Sequence, residues 1–287
     1  MKILVFGKTG QVSKEINLLN NSDIKIICLN REQADLSVPE SLIQMINQTE
    51  ADVVINLAAY TNVEKSEDEE EVAMQINGIA PGIMASECKK RSIPFIHLST
   101  DYVFGDFGKT PIKPDAQASP INSYGRTKLE GERRALDLGD KVMILRTSWV
   151  FSSFGNNFVK NIIQKSKKTK ELSIVDDQIG GPTYANHIAN ALIEICKKLV
   201  KKQPAQNIFH FSGFPHVSWA EFAEEIFSQI DNSTKIRRIK TKDIDLKASR
   251  PFNSRLDCSN LSSEFGIPMS DWKNGLRRVL LELGEIK

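Results

Sequence analysis

The sequence predicts an α/β protein built on a doubly wound parallel β-sheet, followed by a smaller mixed α/β region. Two observations lead to this prediction. In the first half of the chain, short β-branched and apolar runs alternate with longer polar or amphipathic stretches, as strands covered by helices on both faces do. The connections between the runs are short, which is typical of successive strand–helix units.

Each predicted element of the first half has a local signal. The strands are short runs rich in Val, Ile, Leu and Phe at 2–6, 24–29, 53–57, 95–98 and 142–145. The helices lie between them at 11–19, 41–48, 69–90 and 123–138. Pro39 stands just before the second helix, where a proline favours a helix start.

The alternation is looser after residue 148, and a mixed arrangement is expected there. Predicted helices cover 158–165, 185–199, 219–230 and 271–283, and predicted strands cover 172–175, 208–211 and 235–239. We therefore expect a dinucleotide-binding Rossmann domain over 1–148, to which later segments return. Residues 149–287 should mainly form a substrate-binding region at the carboxyl edge of the sheet.

Composition excludes several classes of protein. The 287 residues carry a formal charge of +2 and are 40% hydrophobic, which argues against a nucleic-acid-binding protein and against a disordered chain. No apolar stretch reaches the roughly 18–20 residues of a membrane span. The four cysteines are far apart in sequence and predict neither disulfides nor a zinc site. We expect a cytoplasmic protein that binds no metal.

Two polar features receive structural interpretations. The acidic run at 67–71 is interpreted as a solvated helix start, where carboxylates meet the positive end of the helix dipole. The four histidines are isolated in the sequence, and none is assigned a catalytic role.

A dinucleotide site is predicted where the first strand meets the first helix. Gly7 permits a tight turn, and Gly10 lets a pyrophosphate approach the helix start at Gln11 and Val12, where N–H groups are free to bind anions. Ser13 replaces the third glycine of the usual pattern, so the helix should be slightly displaced.

The second and third strands add to this site. The second strand ends at Asn30 and Arg31, and an arginine here suits the 2′-phosphate of NADPH, with NADH as the alternative. The third strand runs into Ala58, Ala59 and Tyr60, where small side chains let the chain pass close to a cofactor.

A catalytic constellation is predicted at the fourth strand and the helix that follows it. Tyr124 and Lys128 are four residues apart and share one helix face. An ammonium beside a phenol lowers the pKa of the phenol, which suits Tyr124 to proton transfer. Thr100 ends the fourth strand and can donate a hydrogen bond to a substrate oxygen.

At these residues the chain resembles the extended short-chain dehydrogenase/reductases, and among them the dTDP-4-dehydrorhamnose reductase family. The resemblance extends nearly from end to end. Its most specific segments are AAYTNVEKSE (58–67), STDYVF (99–104), YGRTK (124–128), RTSWVF (146–151), DQIGGPT (177–183) and RPFNSRLD (250–257).

The resemblance implies NADPH-dependent reduction of the 4-keto group of dTDP-4-dehydro-L-rhamnose to dTDP-L-rhamnose. It makes Tyr124 the proton donor, Lys128 the residue that holds the ribose, and Thr100 the stabiliser of the oxygen. It also implies substrate contacts at Asp101, Tyr102, Trp149 and Arg250, and adenine contacts at Asp35 and Leu36.

The resemblance also bears on assembly and metal binding. A homodimer is compatible with it, and some members of the family bind magnesium at a dimer contact. Glu15 fits one such ligand position, but Asn186 stands where another glutamate is usual. We therefore expect no magnesium-bridged dimer.

Other functions remain open at this point. A sugar-nucleotide dehydratase would need a second acid after the threonine, whereas Asp101 is followed by Tyr102. A related 4-reductase or epimerase would share the same motifs. A non-catalytic NADP-binding regulatory subunit, of the type that accompanies methionine adenosyltransferase, could keep the fold and the pocket.

Overall fold

The computed structural model describes residues 1–106, 108–230 and 232–287. The strands are β1 (Lys2–Phe6), β2 (Lys25–Leu29), β3 (Val53–Asn56), β4 (Phe95–Thr100), β5 (Val142–Thr147), β6 (Val150–Phe151), β7 (Glu171–Val175), β8 (Ile179–Gly180), β9 (Thr183–Tyr184), β10 (Ile208–His210), β11 (Gly213–Phe214), β12 (Val217–Ser218), β13 (Lys235–Ile239), β14 (Asn253–Ser254) and β15 (Ser270–Asp271). The helices are α1 (Gln11–Asn17), α2 (Pro39–Gln48), α3 (Val63–Ser66), α4 (Glu70–Ala73), α5 (Ala80–Lys90), α6 (Ser123–Leu138), α7 (Phe158–Ser166), α8 (Ala185–Leu199), α9 (Trp219–Gln229), α10 (Ser259–Phe265) and α11 (Trp272–Glu282).

The central sheet has six parallel strands in the order β10-β5-β4-β3-β1-β2. This confirms the predicted doubly wound α/β class. The strand order reverses its direction at β1, with β2 on one side and β3 on the other. Ligands of open α/β sheets bind at such a switch point, beyond the carboxyl ends of the strands. The topology therefore places a binding crevice after β1 and β3.

Helices cover both faces of the sheet. Apolar side chains of α1, α8 and α10 pack on one face, and those of α2, α5 and α6 pack on the other. Although α8 and β10 come from the second half of the chain, their apolar side chains belong to the core on the α1 face of the sheet. A separate core lies among α7, α9 and α11, beside the parallel pair of β7 and β13.

The predicted helix at 69–90 differs from the structure in one respect. The helical stretch contains a π-helical segment, Met74–Ile79, between α4 and α5. This segment contains Asn77 and Gly78, and a Cβ atom at Gly78 would lie 3.3 Å from Cγ of Glu130 on α6. π-Helical turns occur often at functional sites, and this one brings Asn77 against the end of the sheet.

Candidate active site

A cavity of about 350 Å³ lies at the switch point. It is lined by Gly7, Lys8, Thr9, Gly10, Asn30, Arg31, Ala34, Asp35, Leu36, Leu57, Ala58, Ala59, Tyr60, Thr61 and Ile76. Gly7 has φ +106°, and a Cβ atom there would lie 2.8 Å from the backbone nitrogen of Ala58. Glycine is therefore required where the turn after β1 passes the end of β3.

Most of the residues predicted to bind the cofactor line this cavity. They are Gly7, Gly10, Asn30, Arg31, Asp35, Leu36, Ala58, Ala59 and Tyr60. The side chains of Gln11 and Val12 lie elsewhere. Gln11 accepts a hydrogen bond from Asn157 (2.8 Å), and Val12 is buried in the core on the sheet. These two residues can therefore reach a cofactor only through their backbone N–H groups.

Arg31 is the charged side chain best placed for a 2′-phosphate. It is 77% exposed, and its Nε donates to Oδ2 of Asp35 at 2.9 Å. Hydrogen bonds from Ser37, followed by Arg31, lower the pKa of Asp35 to about 2. Asp35 therefore orders the loop after β2 and holds Arg31 at the cavity. A glycine turn with a guanidinium beside it fits a phosphorylated dinucleotide.

Thr100 and Tyr124 meet where β4 ends. The hydroxyl of Thr100 lies close enough to the phenol of Tyr124 to lower the pKa of that phenol. Two local features position Tyr124 in the first turn of α6. Asn122 caps the helix by accepting from the N–H of Gly125 (2.7 Å), as N-cap residues do. A Cβ atom at position 125 would lie only 2.0 Å from the carbonyl oxygen of Tyr102.

The pKa of the Tyr124 phenol is raised, contrary to the prediction from sequence. Burial is the largest cause, and Thr100 opposes it. Lys128 does not contribute, because its Nζ donates to the carbonyl of Leu98 (2.8 Å) and lies 3.0 Å from Nε2 of His97. The prediction that Lys128 makes the phenol more acidic is therefore wrong for this structure. The phenol is kept protonated.

Asp101 is the next residue along from Thr100 and is 2% exposed. Its Oδ1 accepts from the hydroxyl of Thr100 at 3.0 Å, while Oδ2 has no hydrogen-bond partner among the described residues. Burial raises the pKa of Asp101 to about 6, although Ser254 and Thr100 oppose the shift. Asp101 is therefore a buried carboxyl that titrates close to neutral pH.

The other predicted substrate residues surround this point. The ring of Tyr102 packs edge-on against Tyr124, with centroids 5.5 Å apart. Arg250 donates to the hydroxyl of Tyr102 (2.8 Å) and to Glu64 (2.6 Å). Trp149 adopts a left-handed φ of 49°. Its ring stacks on Trp219 at 3.5 Å between centroids, so Trp219 covers one face.

Asn77 carries no signal in the sequence, and two residues of the acidic run make contacts that the sequence did not predict. Asn77 accepts from the backbone N–H of Tyr60 (2.8 Å) and donates to the hydroxyl of Thr127 (3.3 Å). It therefore joins the cofactor cavity to α6. The acidic run starts α4 as predicted, and Asp68, Glu69 and Glu71 are exposed. Glu67 and Glu70 have a further role, because they bind Ser123 at the start of α6 and so dock the helix carrying Tyr124.

His97 was also missed, because a lone histidine within a strand carries no sequence signal. It is buried beside Lys128, and burial is the main reason that its pKa lies well below 6.5. Among the described residues, no group of three or more His, Cys, Asp and Glu side chains could hold a metal ion. Glu15 instead accepts hydrogen bonds from Ser152 (2.7 Å) and Asn186 (3.1 Å).

The fold and the site together define a dinucleotide-dependent oxidoreductase of the extended short-chain dehydrogenase/reductase class. A cofactor cavity lies at the ends of β1 and β3, and Thr100 and Tyr124 meet at the end of β4, the next strand in the sheet. Residues 1–284 match the family described as RmlD substrate binding domain. The chain belongs to this family.

Relatives of known name match over nearly their whole length. A dTDP-4-dehydrorhamnose reductase of Sinorhizobium fredii is 37% identical, over 99% of this chain and 98% of the relative. One of Aggregatibacter actinomycetemcomitans is 35% identical, over 97% and 98%.

Solved structures of proteins with the same name agree closely. The dTDP-4-dehydrorhamnose reductase of Clostridium acetobutylicum has a TM-score of 0.93 at 32% identity, covering 99% of this chain and 100% of that one. The Bacillus anthracis protein, solved in complex with NADP, has a TM-score of 0.92 at 29% identity, covering 98% and 99%.

Proposed function

We propose that this chain uses NADPH to reduce the 4-keto group of dTDP-4-dehydro-L-rhamnose, which gives dTDP-L-rhamnose. The observation that supports this most strongly is the meeting of Tyr124 and Thr100 at the end of β4, the strand next to the one that ends at the cavity suited to NADPH. Relatives named for this activity match the chain from end to end.

The residues account for the proton that the reaction requires. NADPH, when bound, supplies the hydride. Tyr124 holds a proton on its phenol, since burial raises the pKa of the group, and gives it to the oxygen of the ketone as charge develops there. Thr100 donates a hydrogen bond to the same oxygen, which stabilises negative charge in a buried site.

Several residues are proposed to bind the sugar nucleotide. Trp149 is partly exposed, and an aromatic ring suits contact with a base. Arg250 has the fork geometry that suits a diphosphate, although Glu64 and Tyr102 also bind it. Asp101 and Tyr102 complete the wall beside Thr100.

A cytoplasmic location and a homodimer of this chain are two further proposals. All four cysteines are free thiols, which suits the reducing cytoplasm, and none of the described helices is long and apolar enough to cross a membrane. A homodimer remains a prediction, which sedimentation of the purified chain can test.

The direct test is to follow NADPH absorbance after adding dTDP-4-dehydro-L-rhamnose to the purified chain. We expect NADPH oxidation that depends on the sugar nucleotide and yields dTDP-L-rhamnose. If the chain binds NADPH, oxidises none of it and co-purifies with a stoichiometric partner, it is a regulatory subunit instead.

A further inference from the structure

A buried chain of hydrogen bonds connects the cofactor cavity to Lys128. The N–H of Ala58, which lines the cavity, donates to Oδ1 of Asn56 (3.0 Å). Nδ2 of Asn56 lies 3.2 Å from Nδ1 of His97, and Nε2 of His97 lies 3.0 Å from Nζ of Lys128. Asn56, His97 and Lys128 are at most 1% exposed, so water does not share these contacts.

The backbone N–H of Ala58 fixes the direction of every hydrogen bond in this series. A backbone N–H can only donate, so the oxygen of the Asn56 amide faces Ala58 and its NH₂ group faces His97. An NH₂ group also only donates, and Nδ1 of His97 must therefore accept. A neutral imidazole carries one proton, which then lies on Nε2.

The proton on Nε2 determines which protonation state of Lys128 fits beside it. An ammonium has three donors and no acceptor, so it would face Nε2–H donor to donor. A neutral amine has two hydrogens and one lone pair. The lone pair can accept from Nε2–H while one hydrogen goes to the carbonyl of Leu98 (2.8 Å). The second hydrogen remains for a ligand.

We propose that His97 is a positioning residue whose Nε2–H favours the neutral amine of Lys128 over the ammonium. The tautomer of His97, set by Asn56, then determines the pH at which Lys128 takes up a proton. This assignment goes beyond the reduction proposed above.

Burial and one carboxylate act on the charge of Lys128 in opposite directions. Glu132 on α6 faces it, but that carboxylate is paired with Arg146 of β5 at 2.6 Å and also accepts from the hydroxyl of Ser99. Burial outweighs Glu132 and lowers the pKa of Lys128 to about 8, so the Nε2–H of His97 must lower it further for the amine to be neutral at pH 7. On β4, burial is the largest cause that lowers the pKa of His97, which keeps the imidazole neutral.

The tautomer can be measured without any substrate. The full chain is labelled with ¹⁵N-histidine, and a long-range ¹H–¹⁵N correlation spectrum is recorded near pH 7, with His97 assigned from the spectrum of His97→Phe. We expect a protonated Nε2 and an unprotonated Nδ1. A protonated Nδ1, or an imidazolium, would overturn the proposal.

Asn56→Asp tests the same idea without removing the ring. A carboxylate still accepts from Ala58 N–H, but it presents an acceptor to Nδ1. The proton of His97 should therefore move to Nδ1 and leave Nε2 as an acceptor for an ammonium. Asn190→Asp adds the same charge on an exposed face of α8 and should leave the tautomer unchanged. An unchanged tautomer in Asn56→Asp contradicts the proposal.

A second readout rests on the proposed reductase activity. If the ammonium form of Lys128 works in the reaction, the alkaline limb of kcat/KM should move up by about one pH unit or more in Asn56→Asp, since an opposite charge and an acceptor both favour the ammonium. It should not move in Asn190→Asp. A switched tautomer with an unmoved limb would show that His97 does not control Lys128. A chain without reductase activity would leave the tautomer result standing.

Discussion

At the scale of single residues, Tyr124 is the group whose chemistry the account depends on most. The residue is half-buried, and this burial raises the pKa of its phenol, which keeps the proton in place on a proton donor. We expect Tyr124→Phe to lower kcat by about 10²–10⁴-fold, the usual contribution of a general acid. NADPH titrations followed by fluorescence should give an unchanged Kd. Full turnover in this variant would remove Tyr124 from the mechanism.

Arg31 is expected to discriminate between the two nicotinamide cofactors. Its exposed guanidinium stands beside the cavity, where it can bind the 2′-phosphate by charge-assisted hydrogen bonds. Arg31→Ala should raise KM for NADPH roughly tenfold or more, since such bonds contribute about 1.5–3 kcal/mol. KM for NADH should hardly change. An equal effect on both cofactors would place the 2′-phosphate elsewhere.

Asp101 should leave a signature in the pH dependence of stability. Its folded-state pKa of about 6 lies above its ordinary value of 3.8, so the folded chain holds a proton that the unfolded chain has released between these two pH values. The free energy of unfolding should therefore fall as pH rises from 3.8 to 6. The shift corresponds to at most about 3 kcal/mol.

Asp101→Asn removes this titration. Urea unfolding of the variant, compared with the parent chain, should show a growing advantage for the variant across that range and a constant one above it. The oxygen of the new amide can still accept from Thr100. A difference that stays constant from pH 4 to pH 7 would contradict the burial of this charge.

At the scale of elements, the position of α6 decides whether Tyr124 meets Thr100. The absence of a side chain at Gly125 lets the helix approach the carbonyl of Tyr102, which a Cβ atom would meet at 2.0 Å. Gly125→Ala should therefore displace the first turn of α6, lower Tm and reduce kcat at least tenfold, because small misplacements of catalytic groups are costly.

Arg133→Ala is the matched control for that variant. Arg133 lies on the same helix and is exposed, so both Tm and kcat should stay close to those of the parent chain. If Gly125→Ala behaved in the same way as this control, the close approach of α6 to Tyr102 would not be needed for activity.

The sequence predicted these elements well and their mutual contacts poorly. Strands buried on both faces are continuous apolar runs, so β1 to β5 were visible, and glycine spacing located the cofactor turn. Spacing also placed Tyr124 and Lys128 on one helix face. Spacing could not show that Lys128 contacts His97 of β4. Nor could it show that Glu67 and Glu70 bind the start of α6. Such partners are distant in sequence and depend on how the elements pack.

At the scale of the whole molecule, the topology brings the two halves of the chemistry together. The switch point between β1 and β3 provides the cofactor cavity, and β4, the next strand in the sheet, carries Thr100 and Asp101 at its end. Segments from the second half supply Trp149 and Arg250 near the same edge. The proposed reduction therefore requires that the hydride of NADPH and the proton of Tyr124 reach the same carbonyl group.

Transfer of deuterium from labelled cofactor tests that requirement most directly. The chain is supplied with dTDP-4-dehydro-L-rhamnose and NADPH carrying deuterium at C4 of the nicotinamide, in separate reactions for the two faces of the ring. The account predicts that one of the two labels appears at C4 of the sugar in dTDP-L-rhamnose, as seen by NMR and mass spectrometry. Product without deuterium from either cofactor, or with deuterium at another carbon, would contradict it.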